Sequence, residues 1–357
     1  MEFIGAYSLV GAFALGLLTA ALAIPSIIRV AELKGLYDVP DERKSHTNVV
    51  PTLGGVAIFA GIVISSLIAN DFTKVKEFQF IIGAMVILFF MGVKDDILIL
   101  SASTKFLGQM VAAAVVVFFG DVRLTEMHGF FGLTQEIPDY LGIIITIFTV
   151  IVITNSLNLI DGINCLSGSV SIVACGTFGL WFYFYGNIHY AILSASMVGS
   201  ILGFLYFNRT PARIFMGDTG SLILGLLISV LAVKFIEANK GAQPHSLVEM
   251  GAAAAVAIAV LVIPLFDTLR VFAVRIAEKR SPFSPDRKHV HHRLLDLGFT
   301  HMQATGLLVG INLIFIVLAY FLAVIIDWGT MSISAILLGL ASITSYIPVY
   351  ILKKRGK

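Results

Sequence analysis

The sequence predicts an all-α polytopic membrane protein of about eleven transmembrane helices, with the N-terminus outside and the C-terminus in the cytoplasm. Three observations carry this. Of the 357 residues, 58% are hydrophobic and 13% are charged, against roughly 25% charged in soluble domains. The apolar residues gather in runs near the ~20-residue length that crosses a bilayer. The 24 Lys and Arg residues divide 19 to 5 between the two sides those runs define, and the side richer in them is the cytoplasmic one.

The first run, 3–28, follows Met1-Glu2-Phe3. It has no basic start and exceeds a signal-peptide core, so it reads as a first transmembrane helix. Further helices are expected near 53–69, 78–93, 104–120, 139–156, 167–185, 189–207, 219–236, 248–268, 303–326 and 331–352. The side holding 29–52, 94–103, 157–166, 208–218, 269–302 and the tail 353–357 collects the 19 basic residues. Lys74, Lys76, Arg123, Lys234 and Lys240 are the other five. No connection is long enough to bury a core of its own. One integral membrane domain over 1–357 is therefore expected, with functional loops at 29–52, 94–105, 155–168, 208–221 and 269–302.

Several classes are disfavoured. A net charge of only +2 gives no reason to expect a nucleic acid partner. Cys165 and Cys175, ten residues apart in apolar surroundings, form neither a disulfide framework nor a zinc ligand set. No internal repeat is visible, which argues against an ion-coupled transporter, the rival class for a chain with intramembrane acids.

The polar residues at the membrane edge lie on one side, the same one the Lys and Arg count makes cytoplasmic, and such residues are costly enough to mark function. Lys94-Asp95-Asp96 closes the third apolar run. Adjacent carboxylates repel unless a cation lies between them, and about 100° of helix rotation separates them, so their roles should differ. The competing reading is a membrane-edge pair held by Lys94 or by arginines of other loops. Asn155, Asn158, Asp161 and Asn164 recur every third residue at the end of the fifth run, near one side of a helix end, and suit a hard cation, sugar hydroxyls or phosphate. Helix capping would use the same residue types.

Met216-Gly217-Asp218-Thr219-Gly220-Ser221 opens the eighth run. Asp218 there is either an N-cap or a third acid of the same site, as Mg²⁺ takes one or two carboxylates and fills its shell with waters and phosphates. The loop Arg280–Arg293 holds Arg287, His289, His291 and His292 and fits a diphosphate better than a metal, because no helical His pair with a nearby Glu is present. The bland alternative is a solvated basic loop. Lys44 and His46 lie in a polar loop that leads to Gly54-Gly55, where close helix packing or ligand approach is possible. Lys105 stands where it reaches either the acids or the headgroups.

Assembled in this order, the motifs resemble those of the polyprenyl-phosphate N-acetylhexosamine-1-phosphate transferases, the glycosyltransferase family 4 enzymes that include phospho-MurNAc-pentapeptide translocase. The resemblance covers nearly the whole chain: Arg43-Lys44-Ser45-His46 to Gly54-Gly55, Asp95-Asp96, Asn155/Asn158/Asp161-Gly162, Gly217 to Ser221, and His289-Val290-His291-His292. It implies transfer of a sugar 1-phosphate from a UDP-N-acetylhexosamine to undecaprenyl phosphate with release of UMP, the first membrane step of cell-envelope polysaccharide synthesis. It further implies Mg²⁺, with Mn²⁺ able to substitute, membrane lipid contacts, a homodimer among the expected assemblies, and a multi-pass protein of the bacterial inner membrane whose site faces the cytoplasm.

Carried over, Asp218 is the principal metal ligand, with Asp96 beside it. Asp95 is the base toward the lipid phosphate, or one of the pair is a covalent nucleophile, and Asp161 supports metal and substrate. Lys44, His46, Lys105, Asn155, Asn158, Asn164, Arg287, His289, His291 and His292 bind substrate. Two features depart from the pattern. Asn164-Cys165 stands where a second Asp-Gly pair is frequent. The histidine motif has no three in a row, which resembles the branch using simple UDP-N-acetylhexosamines, GlcNAc foremost, and puts the pentapeptide translocase second.

Overall fold

The computed structural model describes residues 2–36, 50–71, 74–98, 100–241, 250–280 and 289–354. Lys44, His46 and Arg287 lie outside these residues. The described chain is helical without a strand, an isolated bridge between Glu126 and Glu136 apart. All eleven expected segments are helical. They form α1 (Glu2–Lys34), α2 (Gly54–Ala69), α3 (Phe78–Leu98), α4 (Ala102–Phe118), α5 (Asp139–Leu159), α6 (Leu166–Tyr185), α7 (Ile188–Asn208), α8 (Gly217–Ala238), α9 (Ala253–Val260) with α10 (Val262–Ala277), α12 (His301–Tyr320) and α13 (Thr330–Lys354). A short α11 (Val290–Asp296) stands in the expected loop 269–302. Seven of the described helices are long and apolar enough to cross a membrane, or eight if α9 and α10 count as one span, and α2 and α4 are shorter apolar helices. The chain is a polytopic all-α membrane protein.

Helix α8 is the axis of the bundle. Its middle, from Leu222 to Val233, is apolar on every side save Ser229 and buried throughout, as a stretch with no polar face must be. Around it pack α2, α3, α5 and α6. Small residues permit this closeness, since without a Cβ backbones approach to van der Waals contact. A methyl group at Gly55 would strike Gly220 of α8, and one at Gly92 would strike Thr219. Both contacts fall at the N-terminal end of α8, so the end of α3 that bears Asp95 and Asp96 is pressed against Asp218.

The ninth expected helix, 248–268, is not straight: α9 and α10 meet at Leu261 with a bend of 79°. Pro264 explains it, because its ring removes one backbone donor and crowds the carbonyl four residues earlier, that of Val260. Carbonyls freed within a bilayer need another donor. Asn312, fully buried on α12, supplies it, with Nδ2 donating to Ala259 O at 3.1 Å and Val260 O at 3.2 Å.

Candidate active site

The first turn of α8 leaves backbone N–H groups without intrahelical partners. Its local N-cap position is Met216, which has no oxygen to offer. Asp96 caps the helix from α3 instead: Oδ1 accepts from Asp218 N at 2.7 Å, and Oδ2 accepts from Thr219 N at 3.1 Å and Thr219 Oγ1 at 2.6 Å. The α8 dipole favours a negative charge at this place. Gly217 makes the approach possible, with φ at +72° and a Cβ position already occupied by the Asp96 carboxylate and Thr52 O. The chain before α8 is in turn pinned to the start of α2, where Gly54 N donates to Phe215 O (2.9 Å) and Gly55 N to Met216 O (2.8 Å). Gly54-Gly55 thus serves packing at the site's edge.

Asp95 faces the other way from Asp96. Its Oδ1 accepts from Leu100 N (2.6 Å), and its Oδ2 lies 2.5 Å from Lys105 Nζ, which also reaches Asp218 Oδ2 at 2.7 Å. Lys105 is brought there by α4, whose N-terminus is capped by Ser101. Of the two roles left open for Lys105, the acidic site is the one it takes. Asn158, from α5, donates to Asp218 Oδ1 (3.1 Å) and to Ser221 Oγ (2.9 Å). Asn155, one turn earlier, is engaged elsewhere, exchanging amide hydrogen bonds with Gln109 of α4.

Asp161 sits in the turn after α5. Its carboxyl makes no hydrogen bond or ion pair with any described residue, and its surroundings raise its proton affinity: burial first, then the charges of Asp218 and Asp96, hold it well above the usual carboxylate range. Next to it, Gly162 is bare because the ring of His291 fills the place a Cβ would take. His291 is buried, both ring nitrogens lack a hydrogen-bond partner among the described residues, and burial together with His292 pushes it down to about 3, so it is neutral. His289 stacks on His291 with ring centres 5.6 Å apart, and His292 lies 4.3 Å from His291.

Asn164 is woven into the frame. It donates through Nδ2 to Thr210 Oγ1 (2.9 Å) and through its backbone N–H to His301 Nδ1 (3.3 Å), while its carbonyl accepts from Thr305 Oγ1 (2.9 Å). Cys165 follows at φ +66° and donates its N–H to Asn208 Oδ1 (2.7 Å). Where the second Asp-Gly pair is frequent, this chain has a structural joint between the α5–α6 turn, the α7–α8 connection and α12.

Sequence reasoning overlooked Asp267. It is buried on α10, and its carboxylate accepts from His289 Nδ1 (2.8 Å), Val290 N (2.9 Å) and Arg270 (3.1 Å). The signal was present: Asp267 follows seventeen uncharged residues after Glu249, with no basic residue before Arg270, and an acid at the end of such an apolar run is costly unless something holds it.

Among the described residues, Asp95, Asp96, Asp161 and Asp218 are therefore gathered with one ammonium group, Lys105. Among the described residues no three acid, histidine or cysteine side chains converge in metal-ligand geometry. The arrangement nonetheless holds more anions than cations, and it can bind a hard cation together with phosphate oxygens.

Comparison with known proteins gives consistent results. The profile of glycosyl transferase family 4 matches residues 78–236. The chain is 33% identical over 337 residues to a protein of Bacillus subtilis named probable undecaprenyl-phosphate N-acetylglucosaminyl 1-phosphate transferase, covering 92% of this chain and 89% of that one. The undecaprenyl-phosphate alpha-N-acetylglucosaminyl 1-phosphate transferases of Yersinia pestis and Escherichia coli K12 are each 29% identical over 280 residues, 77% of this chain and 74% and 73% of theirs.

Proposed function

This chain belongs to glycosyl transferase family 4, and on that premise we propose that it transfers N-acetylglucosamine 1-phosphate to undecaprenyl phosphate. One observation carries the reading: the 33% identity to the Bacillus transferase runs through 92% of the chain. All the named relatives carry N-acetylglucosamine in their names, which favours this sugar over a MurNAc-pentapeptide. The donor we assign is UDP-N-acetylglucosamine. An oxygen of the lipid phosphate forms a bond to the phosphorus next to the sugar, the bridging P–O bond to UMP breaks, and the products are undecaprenyl-diphosphate-GlcNAc and UMP.

The side chains suit this chemistry, which demands alignment and charge neutralisation more than an elaborate nucleophile. Asp95 is the base toward the lipid phosphate, since it faces Lys105 while its neighbour is turned to α8. Asp96, with both oxygens engaged by the α8 N-terminus, is the group that orients Asp218, and we transfer its expected metal role to Asp161. Lys105 guides phosphate oxygens. A divalent cation fits the residues present, because the Asp161 carboxylate, without a hydrogen bond to any described residue, and the nearby Asp218 are the type and number of ligands Mg²⁺ takes from a protein. Bound there, Mg²⁺, or Mn²⁺ in its place, would neutralise phosphate charge. Asn158 holds Asp218 in place, and His289, His291 and His292 form the donor side of the site.

An apolar cavity of about 360 Å³ lies between α5, α8, α9, α10 and α13, lined by residues such as Phe148, Val152, Ile236 and Phe266. Val152 precedes Asn155 by one helical turn, so the cavity begins close to the polar site along α5. It suits the polyprenyl tail. The Lys and Arg asymmetry supports a site on the cytoplasmic face of the inner membrane, where a soluble nucleotide sugar meets a bilayer-bound acceptor. The test is direct: purified protein, undecaprenyl phosphate, Mg²⁺ and UDP-N-acetylglucosamine labelled in the sugar should give lipid-linked label and UMP in equal amounts. Absence of both would refute the assignment.

A further inference from the structure

We propose that Asp267 is a positioning residue for the nucleotide donor, setting the histidine row against the Asp161-Gly162 turn. The proposal rests on the reading of that row as the donor side of the site. Its starting point is a carboxylate 3% exposed that spends its acceptors on one neighbouring segment. Oδ2 takes the Nδ1 proton of His289 and Oδ1 takes the N–H of Val290, the first residue of α11, while Arg270 on the same helix balances the charge.

Two consequences follow. The N-terminus of α11 has no cap of its own, because His289 makes no side-chain capping bond, so Asp267 caps it from α10 as Asp96 caps α8 from α3. A histidine that donates through Nδ1 to a carboxylate has its ring plane and tautomer fixed, leaving Nε2 as the atom that meets other groups. From there the order passes by contact. His289 stacks on His291 with 14° between ring planes, and His291 fills the space over Gly162, beside Asp161. Among the described residues no hydrogen bond holds the His291 ring, and packing between His289, His292 and Gly162 sets its place. Asp267 touches neither the acids nor Gly162, and so acts through His289.

A merely structural staple between α10 and α11 would predict a different outcome from a positioning residue. Asp267→Asn keeps the shape and an oxygen for Val290 N but turns an amide donor toward His289 Nδ1, reversing the hydrogen bond. With the full-length protein in nanodiscs, the KM for UDP-N-acetylglucosamine should rise about tenfold to a hundredfold, the range for a lost charge-assisted hydrogen bond. The KM for undecaprenyl phosphate should stay within about twofold. His289→Gln should give the same donor-specific rise, and the double variant should be no worse than either single one, as expected of two residues acting as a unit.

An unchanged donor KM, equal rises for both substrates, or multiplicative effects would overturn the proposal. If Asp267→Asn does not fold, Asp267→Glu, which keeps the charge and displaces it by a methylene, should show the same donor-specific rise, and its absence would overturn the proposal equally. Failure of the unsubstituted protein to make lipid-linked sugar would refute the functional reading instead, so the two failures are told apart by the first lane of the same assay.

Discussion

The pair Asp95 and Asp96 offers a sharp test, because the structure gives two adjacent, chemically identical residues opposite tasks. Asp96 accepts three hydrogen bonds from the first turn of α8, two of them from backbone N–H groups with no other partner. Hydrogen bonds to a charged acceptor contribute about 1.5–3 kcal/mol each, and a carboxylate at a helix N-terminus adds about 0.3–1 kcal/mol. Asp96→Asn keeps one oxygen acceptor, so roughly one such bond survives, and the amide then places a donor against Thr219. Two lost bonds and the lost helix-end charge together cost at least about 3 kcal/mol, near the upper end for single substitutions. For a chain of this length that lowers the thermal midpoint by several degrees. Activity should fall with it, because the released groups, Thr219 N and Oγ1, adjoin Asp218 in the first turn of α8. Asp95→Asn loses the ion pair to Lys105, keeps an oxygen for Leu100 N and leaves α8 capped. Transfer should then fall at least about a hundredfold, the usual yield of a general base, with the midpoint clearly above that of Asp96→Asn, because one contact is lost and Lys105 keeps its pairing with Asp218. Fluorescence-detected thermal unfolding and lipid-linked label from one preparation measure both. If Asp96→Asn melts like the parent, or Asp95→Asn melts as low as Asp96→Asn, the division of labour is wrong.

Other expectations are simpler to check. Gly162→Ala would drive a methyl group into His291 Nε2, so donor KM should rise at least tenfold while the protein still binds undecaprenyl phosphate; a normal KM would show that the ring moves aside at no cost. Asn312→Leu would take the side-chain donor away from the carbonyls of Ala259 and Val260, costing about 1–3 kcal/mol, and a thermal midpoint equal to the parent's would contradict the account of the bend. Chelation with EDTA should abolish transfer, and Mg²⁺ or Mn²⁺ should restore it. Mg²⁺ should also raise the thermal midpoint of the parent but not of Asp161→Asn; equal stabilisation of both would remove Asp161 from the ligand set.

The sequence by itself determined the class of the molecule, the helical segments and the group of residues worth attention. Those properties are local: an apolar run of sufficient length must span or be buried, and a carboxylate at its end is costly enough to need a reason. The runs ending at Asp95-Asp96 and Asn155 to Asp161, and the one opening at Asp218, were legible for that cause. Which way each side chain faces was decided only by tertiary packing. Asp96 caps a helix that begins 121 residues later, Asn155 turns to Gln109, Asn164 ties three connections together, and Asp267 holds a histidine 22 residues away. The ninth helix shows the same limit, since Pro264 marks a break in the sequence but the donor that makes the break tolerable sits on α12. Hydrogen bonding is decided by proximity in space, and helix packing through contacts such as those of Gly55 and Gly92 on α8 creates that proximity.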